Sequence, residues 1–310
     1  MQIERLETLE RRAWPATVVT IGNFDGVHRG HQALVAAALT ASRAADGTAV
    51  VLTFDPHPAR VLAPARAPVS IMTFWQKAEI LAGMGVERLA VLPFTNALAM
   101  RSDAEFARTV LREALGARLV VVGQSFRFGS GRAGTVDTLR ALGGELAFDV
   151  LAVPPVLDGG EAISSSRVRQ ALEAGDVSSA AGLLGRMFFV EGEVVAGDAR
   201  GRTLGFPTAN LAAENETLPA AGVYACWCRV EEGGQGLPAV TNVGRRPTFG
   251  AGLLGMEVHL LDWSGDLYGR RLRVAFVERL REERAFPSVA ALVEQIEGDV
   301  TQARHVLEKA

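Results

Sequence analysis

Between residues 17 and 153, short apolar runs alternate with helix-period segments, and this alternation restricts the fold more than any other feature of the chain. Runs at Val18–Ile21, Val50–Phe54, Arg88–Leu92, Arg118–Val122 and Phe148–Val153 read as strands. Helical patterns near 31–45, 74–84, 103–115 and 135–142 separate them. The spacing predicts an α/β unit with a parallel, doubly wound sheet covered on both faces by helices. Ligands in such a fold bind beyond the carboxyl ends of the strands. Past about residue 185 the rhythm changes to short alternating segments at Phe188–Val195, Val223–Val230, Ala239–Val243, Glu257–Leu261 and Leu272–Val277. This predicts an antiparallel sheet or β-barrel. One helix closes the chain, with Ser288 as its cap and Leu292, Ile296, Val300, Ala303 and Leu307 on one face. A short helical pattern from Asp176 to Leu184, ending at Gly185, joins the halves, so domains are expected at residues 1–184 and 185–310.

The 310 residues suffice for two cores. A net charge of −3 offers no footprint for a polyanion, so nucleic acid is not an expected partner. No apolar run approaches the roughly 18 residues of a membrane span, and the mixed charge of Met1 to Glu7 is unlike a signal peptide. A cytoplasmic protein without membrane partners is expected. The two cysteines, Cys226 and Cys228, flank Trp227 on a strand, too far apart along it for an easy disulfide, and read as small apolar filler in a reducing compartment. Histidine and cysteine spacing shows no zinc pattern.

The expected strand ends carry the polar motifs. After the first comes Gly22-Asn-Phe-Asp-Gly-Val-His-Arg-Gly-His31, a glycine turn with two of the five histidines three residues apart at a helix start. Free N–H groups and the helix dipole favour a phosphate there, and His28 and His31 add hydrogen bonds. Taken alone, a glycine turn with two solvated histidines would be unremarkable. After the second strand comes Thr53-Phe-Asp-Pro-His-Pro58, whose prolines are expected to forbid helix and hold Asp55 and His57 in an extended turn. After the fourth comes the glycine-rich loop Gly123–Gly134 with Ser125, Phe126, Arg127, Phe128 and Arg132. After the fifth comes Ile163-Ser-Ser-Ser-Arg-Val-Arg169, hydroxyls suited to a helix cap and arginines suited to phosphate.

In the second half, Gly197-Asp-Ala-Arg-Gly-Arg-Thr-Leu-Gly-Phe-Pro-Thr-Ala-Asn210 lacks the Gly-Lys-Ser/Thr of a Walker loop. It reads as a loop whose backbone approaches a nucleotide, with Pro207 fixing the chain so that Thr208 and Asn210 offer oxygens to Mg²⁺ or phosphate. By composition alone a long polar β-loop would be the commoner case.

The histidine turn resembles the His-x-Gly-His signature of the nucleotidyltransferase superfamily in the form seen in prokaryotic FAD synthetases. Gly205–Asn210, Gly222–Ala225, Thr241–Gly244, Arg246–Phe249, Glu257–Asp262 and Asp266–Gly269 resemble riboflavin kinase in order and spacing. Together the halves are similar to the bacterial bifunctional riboflavin kinase/FAD synthetase family. The resemblance implies a Rossmann-like nucleotidyltransferase domain followed by a kinase barrel. It implies phosphorylation of riboflavin to FMN by ATP in the second module and adenylylation of FMN to FAD plus pyrophosphate in the first, both with Mg²⁺. Partners are then the small molecules ATP, riboflavin and FMN, with self-association left open.

Residue by residue, the resemblance assigns His28 and His31 to the ATP phosphates of adenylyl transfer, with Gly22, Asn23, Phe24 and Asp25 in the same turn. Ser165, Ser166 and Arg169 match a Ser-Ser-Thr-x-x-Arg element that serves the triphosphate, and Arg167 falls on a variable position of it. Asp55, His57 and Pro58 match a motif beside flavin and nucleotide, and Ser125, Phe126 and Phe128 a flavin loop in which many relatives carry Asp or Asn where this chain has Ser125. In the kinase half, Gly201, Thr203, Thr208 and Asn210 map to ATP, Thr208 and Asn210 also to the metal, and Glu257 to the base that takes the riboflavin hydroxyl proton. Alternation alone would make Glu257 a solvent-facing strand glutamate.

Overall fold

The protein is described by a computed structural model, which places residues 1–12, 14–197, 204–231, 234–245 and 254–310. By contacts it divides into two compact units. One comprises 1–69 and 74–163; the other comprises 70–73 and 164–310.

The first unit is built on β1 (Gln2–Arg5), β2 (Val18–Ile21), β3 (Ala49–Asp55), β4 (Arg88–Pro93), β5 (Leu119–Gly123) and β6 (Asp149–Val153). They form one parallel sheet in the order β1-β4-β3-β2-β5-β6. All four residues of β2 are buried, as expected of a β-branched strand covered on both sides. Val18 packs on one face with Ala38 and Val121. Val19 and Ile21 pack on the other with Leu111, Leu115 and Leu139. The helices are α1 (Arg29–Ala44), α2 (Pro58–Leu62), α3 (Phe74–Gly83), α4 (Asn96–Ala99), α5 (Asp103–Phe106), which runs on as a wider π-turn segment through Ala114, and α6 (Val136–Leu146). The chain passes from β2 outward through β3 to β4, then returns to place β5 on the other side of β2, so β2 stands at the point where the order reverses. Open α/β sheets bind their ligands there.

Two expectations need correction. The sheet has a sixth strand, β1, a short edge strand of mixed polarity. Nor do the two prolines forbid helix: Pro58 opens α2, where its missing N–H costs nothing, and His57 caps it by accepting from Ala59 N at 3.1 Å.

The second unit holds a closed antiparallel barrel of β9 (Phe189–Val195), β10 (Ala209–Ala213), β11 (Gly222–Val230), β12 (Leu237–Arg245), β13 (Leu254–Leu260) and β14 (Arg271–Arg281), ordered β10-β13-β12-β11-β14-β9. β7 (Leu157–Asp158) and β8 (Glu161–Ala162) form a separate small hairpin in the first unit. Residues 209 and 210, expected at the end of a loop, instead open the strand Ala209–Ala213, which closes the barrel between β9 and β13. Helices α7 (Ser165–Glu173) and α8 (Val177–Leu184) also belong to this unit. Gly185 ends α8 in the left-handed conformation, φ 69°. The closing helix α9 (Val289–Leu307), capped by Ser288, buries Ala303 and Leu307 against Val223, Val240 and Leu261. Cys226 and Cys228 are free and buried, and burial pushes both thiols up.

Candidate active sites

The histidine turn leaves β2 at the reversal point of the sheet. Gly26 takes φ 84°, as glycine can, but Phe24 and Val27 also sit in the left-handed region at φ 50° and φ 39°. For a β-branched residue this is strained, at an order-of-magnitude cost of about 1–3 kcal/mol, and persists only where the surroundings over-determine it. Phe24 and Val27 are fully buried, which supplies that hold. His28 caps α1: its Nδ1 accepts from His31 N at 3.3 Å, which puts the proton of a neutral ring on Nε2. The two imidazoles stack with centroids 3.7 Å apart. Burial, reinforced by His28 and Lys77, holds His31 well below the usual histidine range, so its ring is neutral at pH 7. Its Nδ1 is buried with no hydrogen-bond partner among the described residues.

Asn23 links this turn to the end of β3, its amide 3.0 Å from His57 Nε2. On the same ring, Nδ1 accepts from Ala59 N, and the group facing Nε2 is the Asn23 amide nitrogen. Asp55, the last residue of β3, pairs with Arg5 at 3.2 Å. Gly22, Asn23, Phe24, Asp25, His28, His31 and His57 are thus one connected group. Sequence reasoning missed Lys77, which donates to the Asn23 carbonyl at 2.8 Å. Burial pulls its ammonium down, against Asp25 and Asp55.

Beyond β5, Ser125 and Phe126 line a cavity of about 540 Å³ with Arg127, Thr135, Asp137 and Arg140. Phe126 stacks on Phe128 at 5.6 Å, whereas Phe128 itself lies in the core against Phe106. Ser165, Ser166 and Arg169 open α7; the residue that caps it is Ser164, which accepts from Arg167 N.

In the barrel, Glu257 on β13 faces Asn210 of β10 on one side and Asn242 of β12 on the other, in register. Cross-strand neighbours share a face of the sheet, so the carboxylate lies in a row between two amides. Glu257, Asn242 and His259 line a cavity of about 680 Å³ with Arg281, Phe286 and Asp299. A second cavity of about 300 Å³ is lined by Pro207, Ala209, Trp263, Asp266 and Tyr268. Thr208 lines both. A Cβ at Gly197 would overlap the Asn210 amide, so the chain can approach Asn210 this closely only as glycine. Gly201 and Thr203, and the Arg246–Phe249 motif, lie outside the described residues.

Sequence reasoning also missed the partners of Glu257 and the groups that frame its cavity. His259 Nδ1 donates to the Pro207 carbonyl at 2.8 Å, and its ring meets Phe206 edge-on. Arg281 on β14 holds the buried Asp299 of α9 through Nε at 2.9 Å and Nη2 at 2.8 Å, tying the closing helix to the barrel beside the cavity. The spacing Glu257-Val-His259 carried part of this signal, since residues two apart on a strand share a face. Among the described residues no group of three His, Cys, Asp or Glu gathers as a metal cage. The neutral oxygens of Thr208 and Asn210 suit a divalent ion held mainly by phosphate and water.

A parallel α/β unit with a phosphate-type turn at its reversal point, and a barrel with two cavities that share Thr208, fit a two-module nucleotide-dependent transferase. A family model described as FAD synthetase matches residues 10–167, and one described as riboflavin kinase matches residues 184–307. The bifunctional riboflavin kinase/FMN adenylyltransferase of Pseudomonas fluorescens is 42% identical over 288 residues, covering 93% of this chain and 92% of the relative. That of Escherichia coli (strain K12) is 38% identical over 305 residues, covering 97% and 96%. A solved structure described as a macrolide-efflux protein from Streptococcus pneumoniae superposes with a TM-score of 0.88 at 34% identity, covering 97% of this chain and 98% of that one. That description concerns the Streptococcus protein; among the described residues of this chain no helix is long and apolar enough to cross a membrane. The chain belongs to the bifunctional riboflavin kinase/FMN adenylyltransferase family.

Proposed function

We propose that the protein makes FAD from riboflavin in two ATP-dependent steps, with residues 185–310 as the kinase module and 1–184 as the adenylyltransferase module. The observation that carries the kinase assignment is Thr208, which lines two cavities while Glu257 faces one of them. Phosphoryl transfer needs a donor nucleotide and an acceptor hydroxyl on either side of one transfer point. Riboflavin occupies the larger cavity, with ATP on the other side of Thr208. Glu257 takes the proton of the ribityl hydroxyl as its oxygen bonds to the γ-phosphorus and ADP leaves. Asn210 and Asn242 fix the carboxylate. ATP chemistry of both kinds implies a divalent metal; Thr208 and Asn210 would hold Mg²⁺, which supplies charge neutralisation on the phosphates. Gly201 and Thr203 complete this nucleotide site by assignment from the resemblance.

In the first module a phosphate oxygen of FMN bonds to the α-phosphorus of ATP and pyrophosphate leaves. His28, the neutral His31 and the N–H groups of the α1 start donate to the charge that grows on the phosphates, which lowers the barrier more than it tightens ground-state binding. Gly22, Asn23, Phe24 and Asp25 shape the turn. Asp55, His57 and Pro58, with Ser125, Phe126 and Phe128, serve the flavin; the position of Phe128 beneath Phe126 makes its part indirect. Ser165, Ser166 and Arg169 are phosphate ligands by their chemistry. The protein works in the cytoplasm on ATP, riboflavin and FMN, without nucleic acid.

Labelled ATP tests the order of transfer. Label at the γ-position is expected in FMN and retained in FAD, and label at the α-position only in FAD. Label from the α-position in FMN, or its absence from FAD, would contradict the scheme.

A further inference from the structure

Lys77 has no part in the scheme above, yet it is a buried ammonium at the base of the histidine turn. Its Nζ donates to the Asn23 carbonyl, the same oxygen that receives the Thr53 hydroxyl at 3.2 Å. The charged and titratable groups around it come from several elements. Asp25 lies in the turn, Asp55 at the end of β3, His28 and His31 at the start of α1, and Arg5 of β1 holds Asp55. Burying an ammonium costs several kcal/mol in order of magnitude unless charge and hydrogen bonding offset it. A lysine kept there, hydrogen-bonded to a main-chain carbonyl, therefore has to be explained.

Two features of the turn supply the explanation. Phe24 follows Asn23 directly and, like Val27, is held at positive φ, so the turn keeps its shape only if tied from outside. Lys77 and Thr53 are ties on the residue just before the strain begins. Second, His31 is neutral and brings no positive charge of its own to a polyphosphate. We propose that Lys77 is a positioning residue for adenylyl transfer: it ties α3 to Asn23, fixes the Phe24–Val27 turn that presents His28 and His31, and places a positive charge behind the phosphate seat. The inference rests on assigning adenylyl transfer to this turn.

The test compares Lys77→Met and Lys77→Arg in the full-length protein. FAD formation from supplied FMN and FMN formation from riboflavin are measured on the same samples, and the free-protein titration of His31 is followed by NMR. In Lys77→Met we expect kcat for FAD formation to fall about 10- to 100-fold, the scale of a small misplacement of reacting groups, with a smaller change in KM. Riboflavin phosphorylation should stay normal, and His31 should titrate at higher pH once the neighbouring charge is gone. Lys77→Arg should recover part of the lost kcat. A kcat for Lys77→Met within about twofold of the parent overturns the proposal. So does an Arg variant as slow as the Met variant with the His31 titration unmoved, because a packing role would give that result. If Lys77→Met does not fold, the Arg variant and its His31 titration decide. If the parent makes no FAD from FMN while its kinase step runs, the assignment of the turn fails and the proposal falls with it; a His31 titration that still moves in Lys77→Met would then identify the coupling as real but not catalytic.

Discussion

Glu257 of β13 stands in register with Asn210 of β10, so the residue assigned as base and a residue assigned to the metal are neighbours on one face of the barrel. This pairing gives the kinase step a definite geometry. Replacing Glu257 with Gln keeps the shape and one acceptor oxygen but removes the proton acceptor. Riboflavin phosphorylation should fall by about 10²–10⁴, toward the low end because phosphoryl transfer depends chiefly on positioning. FAD formation from supplied FMN should be unchanged. Assay of both half-reactions on one preparation checks this, and near-normal phosphorylation would return Glu257 to a structural role.

His28→Ala and His31→Ala should act on the other step. Each removes a donor from the developing phosphate charge, a loss that typically costs about 10²–10³ in rate. FMN should accumulate from riboflavin while FAD formation is suppressed. Loss of both activities in a folded variant would contradict separate sites.

The depressed pKa of His31 also bears on stability. The unfolded chain binds a proton at this residue below about pH 6.5 while the folded protein does not, so lowering the pH favours unfolding. The stability present above pH 6.5 is thus lost progressively as the pH falls from that value through the lower, folded-state pKa. His31→Ala should flatten this acid limb. Denaturant unfolding at a series of pH values below neutrality checks it, and an unchanged slope in the variant would count against the burial argument.

Much of this was legible in the sequence, for reasons visible in particular residues. Strand β2 announces itself because Val18, Val19 and Ile21 are apolar and β-branched, as a strand buried on both faces requires. Strand β1 does not, because Gln2, Glu4 and Arg5 lie at a sheet edge where polar side chains are tolerated. Strand β10 hides because Pro207 just before it and Asn210 within it read as turn residues, and only barrel closure recruits Asn210 into a strand. The row Asn210–Glu257–Asn242 depends on strand register, which local composition does not encode. Lys77 looks like any helix lysine, because only the tertiary fold brings it under Asn23.

The boundaries of the second unit change what a kinase fragment needs. Residues 70–73 and 164–184 pack within it: Ile71 is fully buried, Thr217 donates to the Ser70 carbonyl at 2.8 Å, and Ala220 N donates to the Leu172 carbonyl at 2.9 Å. Both a fragment of residues 185–310 and one of residues 164–310 lack 70–73, but only the shorter also loses α7, α8 and the Leu172 acceptor of Ala220 N, and a buried orphan costs about 1–3 kcal/mol. A fragment of residues 164–310 should therefore melt at higher temperature and phosphorylate riboflavin better than one of residues 185–310. Equal melting temperatures would show that α7 and α8 add nothing to the barrel.

The most direct test of the whole account is incubation of the purified full-length protein with riboflavin, ATP and Mg²⁺, with products separated by chromatography over time. The account predicts FMN first and FAD after it, with ADP and pyrophosphate released in the respective steps. FMN alone would contradict the assignment of the histidine turn, and unchanged riboflavin would contradict the assignment of Glu257 and the barrel.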